Sequence, residues 1–186
     1  MMTIRHATFL LLALVLAACA QAPSPQRPPD VRPAAVVEGF ISEYRALGFR
    51  GLPDGAQLAR LSPFLSPRLE GLLHDARAGQ QSYREKYPTD KPPLIDGDLF
   101  SSLFEGANRA EVSETLEQGD SAAVLVRYEY RDPRDGKLIE DWPDRFLLVR
   151  EADGGWRIDD IEYLGGWDFA MKGRLSGALE ETAGLR

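Results

Sequence analysis

Only one cysteine occurs in this chain of 186 residues, at position 19. A lone cysteine excludes an internal disulfide and any zinc site built on several thiolates. Positive charge is also in short supply. Lysine and arginine number 22 against 29 aspartates and glutamates, for a formal net charge of −7. Phosphate binding needs a basic footprint, so no nucleic-acid partner is expected. Docking on anionic lipid headgroups is disfavoured for the same reason. No long hydrophobic run exists either. The greasiest stretch, Ala7 to Leu16, has ten residues, and a membrane-spanning helix needs about 20. Ser101 and Ser102 lack a G-x-S-x-G elbow. Past the N-terminal stretch the only histidine is His74, beside Asp75 in a helical segment. A Ser-His-Asp triad therefore has no support in spacing, and His74 reads as a helix-surface residue.

What is present begins at the N-terminus. Arg5 and His6 give a basic start, the apolar run follows, and Ala17 and Ala18 are small. That order is the order of a secretory signal. Leu16-Ala17-Ala18-Cys19 resembles the lipobox of bacterial lipoprotein precursors. The resemblance implies a signal peptide over 1–18 and a diacylglycerol thioether on Cys19. Cys19 is then an anchor, which leaves no free thiol as a nucleophile. One acyl chain binds a bilayer only marginally, whereas two or three hold firmly. Ala20 follows the cysteine, where an aspartate often marks inner-membrane lipoproteins, so outer-membrane sorting and a periplasm-facing domain are implied for a Gram-negative source. Loss of Arg5 with the signal moves the formal charge from −7 to −8. Residues 20–33 read AQAPSPQRPPDVRP, with five prolines in fourteen positions. Such a segment favours extended polyproline II at about 3.1 Å per residue, a spacer of roughly 40 Å. Residues 19–33 are thus expected to be a lipidated cysteine and tether, and 34–182 a folded domain.

Inside that domain the first half reads as helices. Val36, Val37, Phe40, Ile41, Tyr44 and Leu47 recur at helical spacing over 33–47, and Gly48 is a stop. Asp54 is placed to cap a short helix through Leu61. Ser66-Pro67 starts another, with Leu69, Leu72, Leu73 and Ala76 as its stripe, interrupted at Gly79. The second half alternates. Weak strand character over 109–117 is followed by a strong strand over 122–131, a hairpin loop at 132–137, a third strand over 145–151 and a fourth over 156–163. Leu175, Ala178 and Leu179 indicate a short terminal helix.

Helices followed by an antiparallel meander is an α+β pattern. Leu147-Leu148-Val149-Arg150, the Gly154-Gly155 turn and Trp156-Arg157-Ile158-Asp159-Asp160-Ile161 resemble the closing strands of the NTF2-like superfamily. Asp98 to Gly106, DLFSSLFEG, resembles an uncharacterised family of NTF2-like envelope lipoproteins. The resemblance implies an NTF2-like cone, with N-terminal helices packed on a curved four-stranded antiparallel sheet. It implies little about activity, because that fold hosts enzymes, binders and scaffolds.

The candidate residues are partner or ligand contacts: Asp98, Glu105, Trp142, Asp159, Asp160, Tyr163 and Trp167. Asp96-Gly97-Asp98 begins like a calcium loop, but the ligand series stops after two. Asp98 is instead expected to cap a short helix Leu99 to Phe104, with Phe100, Leu103 and Phe104 inward. At Asp159-Asp160 the apolar alternation slips by one, which a β-bulge would repair. Asp160 with Tyr163 or Tyr128 would imitate the acid-base groups of the superfamily's enzymes. The plainer reading pairs Asp159 or Asp160 with Arg127 or Arg131 across strands. Trp142 and Trp167 lie near loops, as core plugs or as interface anchors.

These observations lead to an expected non-catalytic binding or scaffolding domain, anchored to a membrane through Cys19 and acting on an envelope protein. No catalytic residue, cofactor or metal is assigned, and the oligomeric state is left open. The alternatives are a small-ligand binder or enzyme using the cone, and an immunity-type inhibitor of an antibacterial toxin.

Overall fold

Helix α1 spans Pro33–Leu47 in the computed structural model, which describes residues 32–185. The leader, Cys19 and the tether up to residue 31 lie outside the described residues. Proline at the first helical position has no N–H to leave unpaired. Gly48 ends the helix in the left-handed conformation (φ 60°), donating its N–H to Tyr44 O. Helix α2, Gly55–Leu61, starts with a capping box: Asp54 accepts from Gln57 N–H, and Gln57 returns the bond to Asp54 N–H, both at 2.8 Å. A 3-10 turn over Ser62–Phe64 leads into helix α3, Pro67–Lys86. Ser66 Oγ accepts the Leu69 N–H at 3.0 Å and caps α3.

Gly79 does not interrupt α3. The terminal helix α4, Leu175–Ala183, crosses α3 there, and a Cβ on Gly79 would sit 2.1 Å from the Thr182 carbonyl oxygen. The glycine permits a close backbone approach at a cost in helix propensity of about 1 kcal/mol.

The sheet is an antiparallel meander in the order β1-β2-β3-β4-β5: Arg109–Gln118, Ser121–Arg131, Leu138–Arg150, Trp156–Tyr163 and Gly173–Arg174. It therefore has five strands, not four. The extra one is a two-residue pairing with Glu162 and Tyr163, too short to leave a pattern in sequence. Strand β3 also begins earlier than expected, at Leu138. Its Trp142-Pro143 reads as a loop, but Pro143 is opposite Arg127 only, because pairing with β4 starts at Asp144. A proline is tolerated where a strand has one neighbour.

The expected bulge is present. Leu147 pairs with Asp160 and Leu148 with Ile158, so Asp159 is the extra residue. The slip returns Trp156, Ile158, Ile161 and Tyr163 to the buried face. Helix α1 lays Phe40 against Phe146 and Phe100, with ring centroids 6.0 and 5.1 Å apart. These rings join Trp156, Leu69, Leu73 and Leu148 in a single core. Each fully buried side chain of this size is worth about 1.5–3 kcal/mol.

Candidate functional site

The candidate residues fall into two groups at separate places on the sheet. The first is the bulge in β4. Because Asp159 is unpaired in the ladder, both acidic side chains are free to reach the helix starts beside this strand. Asp159 accepts from Ser66 Oγ at 2.6 Å and from Arg68 Nε at 3.0 Å, and Arg68 Nη2 stands 2.8 Å from its second oxygen. Burial pushes this carboxyl up, but the bonds from Arg68 and Ser66 outweigh it and hold the group below its ordinary value. Asp160 is buried and points at α4. Its Oδ1 accepts from Ser176 N–H at 3.0 Å and its Oδ2 from Ser176 Oγ at 2.6 Å. Helix α4 has no cap of its own at Arg174. A strand carboxylate thus satisfies the helix N-terminus, where negative charge is favoured.

Pairing with Arg127 or Arg131 does not occur. Those arginines are on β2, and β3 lies between β2 and β4. Arg131 pairs with Glu129 instead, at 2.6 Å.

The second group surrounds the segment 96–106. The expected helix Leu99 to Phe104 is absent, and the segment is a buried loop. Asp98 holds its turn by accepting the Phe100 N–H at 2.8 Å, so the capping chemistry is present without the helix. Phe100 is buried and Leu103 partly so, but Phe104 faces outward and is 50% exposed. Gly97 takes φ 81° with the Phe104 ring directly over it; a Cβ there would lie 2.3 Å from the ring. Glu105 is exposed.

Three strand residues clamp this loop to the sheet. Tyr163 OH donates to Leu99 O at 2.6 Å, and Tyr128 OH lies 3.4 Å from Phe100 O. Asp144, wholly buried, accepts four bonds: from Ser102 N–H at 2.7 Å, Ser102 Oγ, Trp142 Nε1 at 3.1 Å and Leu164 N–H at 2.9 Å. Ser102 Oγ also accepts the Gly165 N–H at 3.0 Å. Trp142 is 3% exposed in mid-strand and stacks on Tyr128. Trp167 packs edge-on against Trp142 at 5.5 Å. Trp142 is a core plug closed to any partner, whereas Trp167 is partly buried against the core.

Asp160 and the tyrosines do not form an acid-base pair, since Tyr163 and Tyr128 are directed to backbone carbonyls and Asp160 to Ser176. The acid that does approach a phenol is Asp98, beside Tyr44 and Arg50. Burial raises Asp98 and Asp144 above their ordinary value, against the bonds each accepts. Burial, followed by the charge of Asp98, likewise pushes Tyr44 far up. The cavity between Phe40, Tyr44, Asp98, Phe100 and Tyr128 is about 30 Å³. That admits about one water, whereas ligand pockets run from about 300 Å³. A hollow of about 520 Å³ lies outside it, lined by Arg45, Arg109, Arg127, Glu111, Glu129 and Asp141. Its charges are of both signs and select no single ligand charge.

Among the described residues no three His, Cys, Asp or Glu side chains are grouped to hold a metal ion. Nor is any described helix long and apolar enough to cross a membrane. Sequence reasoning missed Asp144 and Tyr44 as site residues. Asp144 lies in the Trp-Pro-Asp triplet read as a loop, and its partner Ser102 is 42 positions away. Only the placement of Pro143 inside a strand would have pointed to it.

Fold and site define a small α+β domain whose buried acids are hydrogen-bond acceptors that fasten loops and helix ends to a meander sheet. The chain is 30% identical over 173 residues to the uncharacterized lipoprotein YbjP of Escherichia coli (strain K12), a match covering 90% of this chain and 92% of that protein. This chain belongs to that lipoprotein family. A match of that length extends N-terminal to residue 32, into the region of the tether. No protein-family model matches the chain, and no solved structure matches it.

Proposed function

We propose that this protein is an outer-membrane lipoprotein, anchored through Cys19 and facing the periplasm, whose NTF2-like domain binds or scaffolds another envelope component without catalysing a reaction. One observation carries the reading: the acids that would serve catalysis are already committed to structural bonds. Asp144 accepts four, Asp160 caps α4, Asp159 holds the start of α3 and Asp98 holds a turn. A general acid or base must be within reach of a substrate proton, and the cavity at Asp98 is about 30 Å³. The lipobox, the proline-rich tether and the family relationship support the anchor. Ala20 supports outer-membrane sorting.

The test is affinity purification of the tagged full-length chain from living cells after amine crosslinking, beside a Cys19→Ala variant. The reading predicts a discrete envelope-protein adduct that weakens when the anchor is removed. A chain that yields no adduct in either form contradicts it. The small-ligand alternative rests on the 520 Å³ hollow, and Arg127→Glu at its wall separates the two by leaving a protein adduct intact.

A further inference from the structure

Phe169 is 93% exposed, the most exposed large apolar residue among those described. It stands in the loop after β4, which runs Gly165-Gly166-Trp167-Asp168-Phe169-Ala170-Met171-Lys172. This loop is firmly held. Met171 N–H donates to Ser102 O at 2.9 Å, Gly165 N–H to Ser102 Oγ, and Lys172 Nζ to the carbonyls of Gly165 and Trp167 at 2.7 and 2.9 Å. Two residues along each chain from the Met171–Ser102 bond stand Phe169 and Phe104, the second exposed aromatic. Water thus meets two phenyl rings on neighbouring loops, fastened together through Ser102 and the buried Asp144. Each ring has an acidic neighbour in sequence, Asp168 or Glu105. Both acids are exposed and make no ion pair among the described residues.

Helix α1 runs toward this surface from Pro33. Its C-terminal Tyr44 and Arg45 lie beside Phe100 and Tyr128, the end of the sheet that carries Trp142 and Trp167. Pro33, the first residue of α1, is about 20 Å back along the helix axis from that end.

We infer that the loops bearing Phe104 and Phe169 form the docking surface for a partner protein that presents an apolar cleft rimmed by lysine or arginine. This rests on the binding reading above. Aromatic anchors on a fixed frame supply the contact area of interface hot spots at little ordering cost. The unpaired acids beside them match a basic rim and steer association. Exposed Glu105 and Asp168 disfavour an anionic bilayer as the occupant.

A photoreactive phenylalanine analogue at position 169 of the full-length, lipid-anchored chain tests this in living cells. The same analogue at Leu116, 60% exposed on β1, is the comparison site. The expected result is a discrete protein adduct from 169 and none of that size from 116. Phe104→Ala, and separately Glu105→Lys with Asp168→Lys, reduce it at least fivefold in chains whose thermal melting is unchanged. Adducts to lipid from 169, adducts insensitive to these substitutions, or an adduct from 116 alone overturn the inference; the last leaves the binding reading standing. No protein adduct from either site, with none from amine crosslinking, overturns both.

Discussion

Asp160 on β4 caps the helix that begins fifteen residues later: its two carboxylate oxygens take the N–H and the hydroxyl of Ser176. With Asp159 bonded to Ser66 and Arg68 on the next residue, one bulge ties two helix starts to the sheet. Asp160→Ala removes a cap and leaves the half-buried Ser176 hydroxyl and N–H without their acceptor, so a loss of about 1–3 kcal/mol is expected. Urea denaturation followed by circular dichroism checks it. A loss below about 0.5 kcal/mol would show that α4 does not depend on this cap.

Asp144→Asn tests the second node. Each oxygen of Asp144 faces at least one backbone or indole N–H, from Ser102 and Trp142 on one side and Leu164 on the other. An amide sets its NH2 against a donor whichever way it turns. The expected cost is about 2–4 kcal/mol, with faster amide exchange at Ser102 and Leu164 as the local signature. Unchanged exchange at both residues contradicts the four-bond description.

Acidification separates the two kinds of carboxylate. Asp98 and Asp144 are raised by burial, so the folded chain takes up protons before the unfolded one does. Their contribution to stability therefore grows as pH falls from 7 toward the ordinary carboxylate range. Asp159 is lowered on balance, and its contribution is lost only as pH falls through and below that range. Thermal melting is expected to hold or rise from pH 7 to about 5 and to fall below about 4. Asp98→Asn keeps the turn acceptor for Phe100 N–H and is expected to flatten the rise. A melting temperature that falls steadily from pH 7 in the unaltered chain contradicts these directions.

Gly79→Ala places a methyl against the Thr182 carbonyl, where an ideal Cβ would come within 2.1 Å. Elsewhere in an exposed helix the same change gains about 1 kcal/mol. Here it is expected to cost about 1–3 kcal/mol, since backbone is the obstacle and α4 must shift. A denaturation midpoint that rises would mean that the helices separate freely at this crossing.

How far the sequence carried the fold depends on whether the signal was local. Asp54, Ser66 and Gly48 cap or stop helices where their chemistry says, because caps act over three or four residues. The bulge at Asp159 is visible as a broken alternation, again within eight residues. Failures came where distant partners decide. Phe104 reads as an inward helical residue but lies over Gly97 with its other face in water, because the Tyr163, Tyr128 and Asp144 bonds hold the segment as a loop. Gly79 reads as a break until α4 is known to cross it. Of the candidate site, Asp159 and Asp160 stand out in sequence through the broken alternation, but their partners Ser66, Arg68 and Ser176 are on other elements and leave no local signal. Trp142 reads as lying near a loop because Pro143 masks the strand.

The central claim is that the buried acids build the domain while exposed aromatic loops do its work. Its most direct test is the yield of the envelope-protein adduct from position 169 across Asp98→Asn, Asp144→Asn, Asp160→Ala and Phe104→Ala chains, each corrected for folded fraction. The account predicts that the acid variants keep their adduct in proportion to folded protein, while Phe104→Ala loses it with the fold intact. A fully folded acid variant that loses the adduct, beside a Phe104→Ala chain that keeps it, would contradict the account.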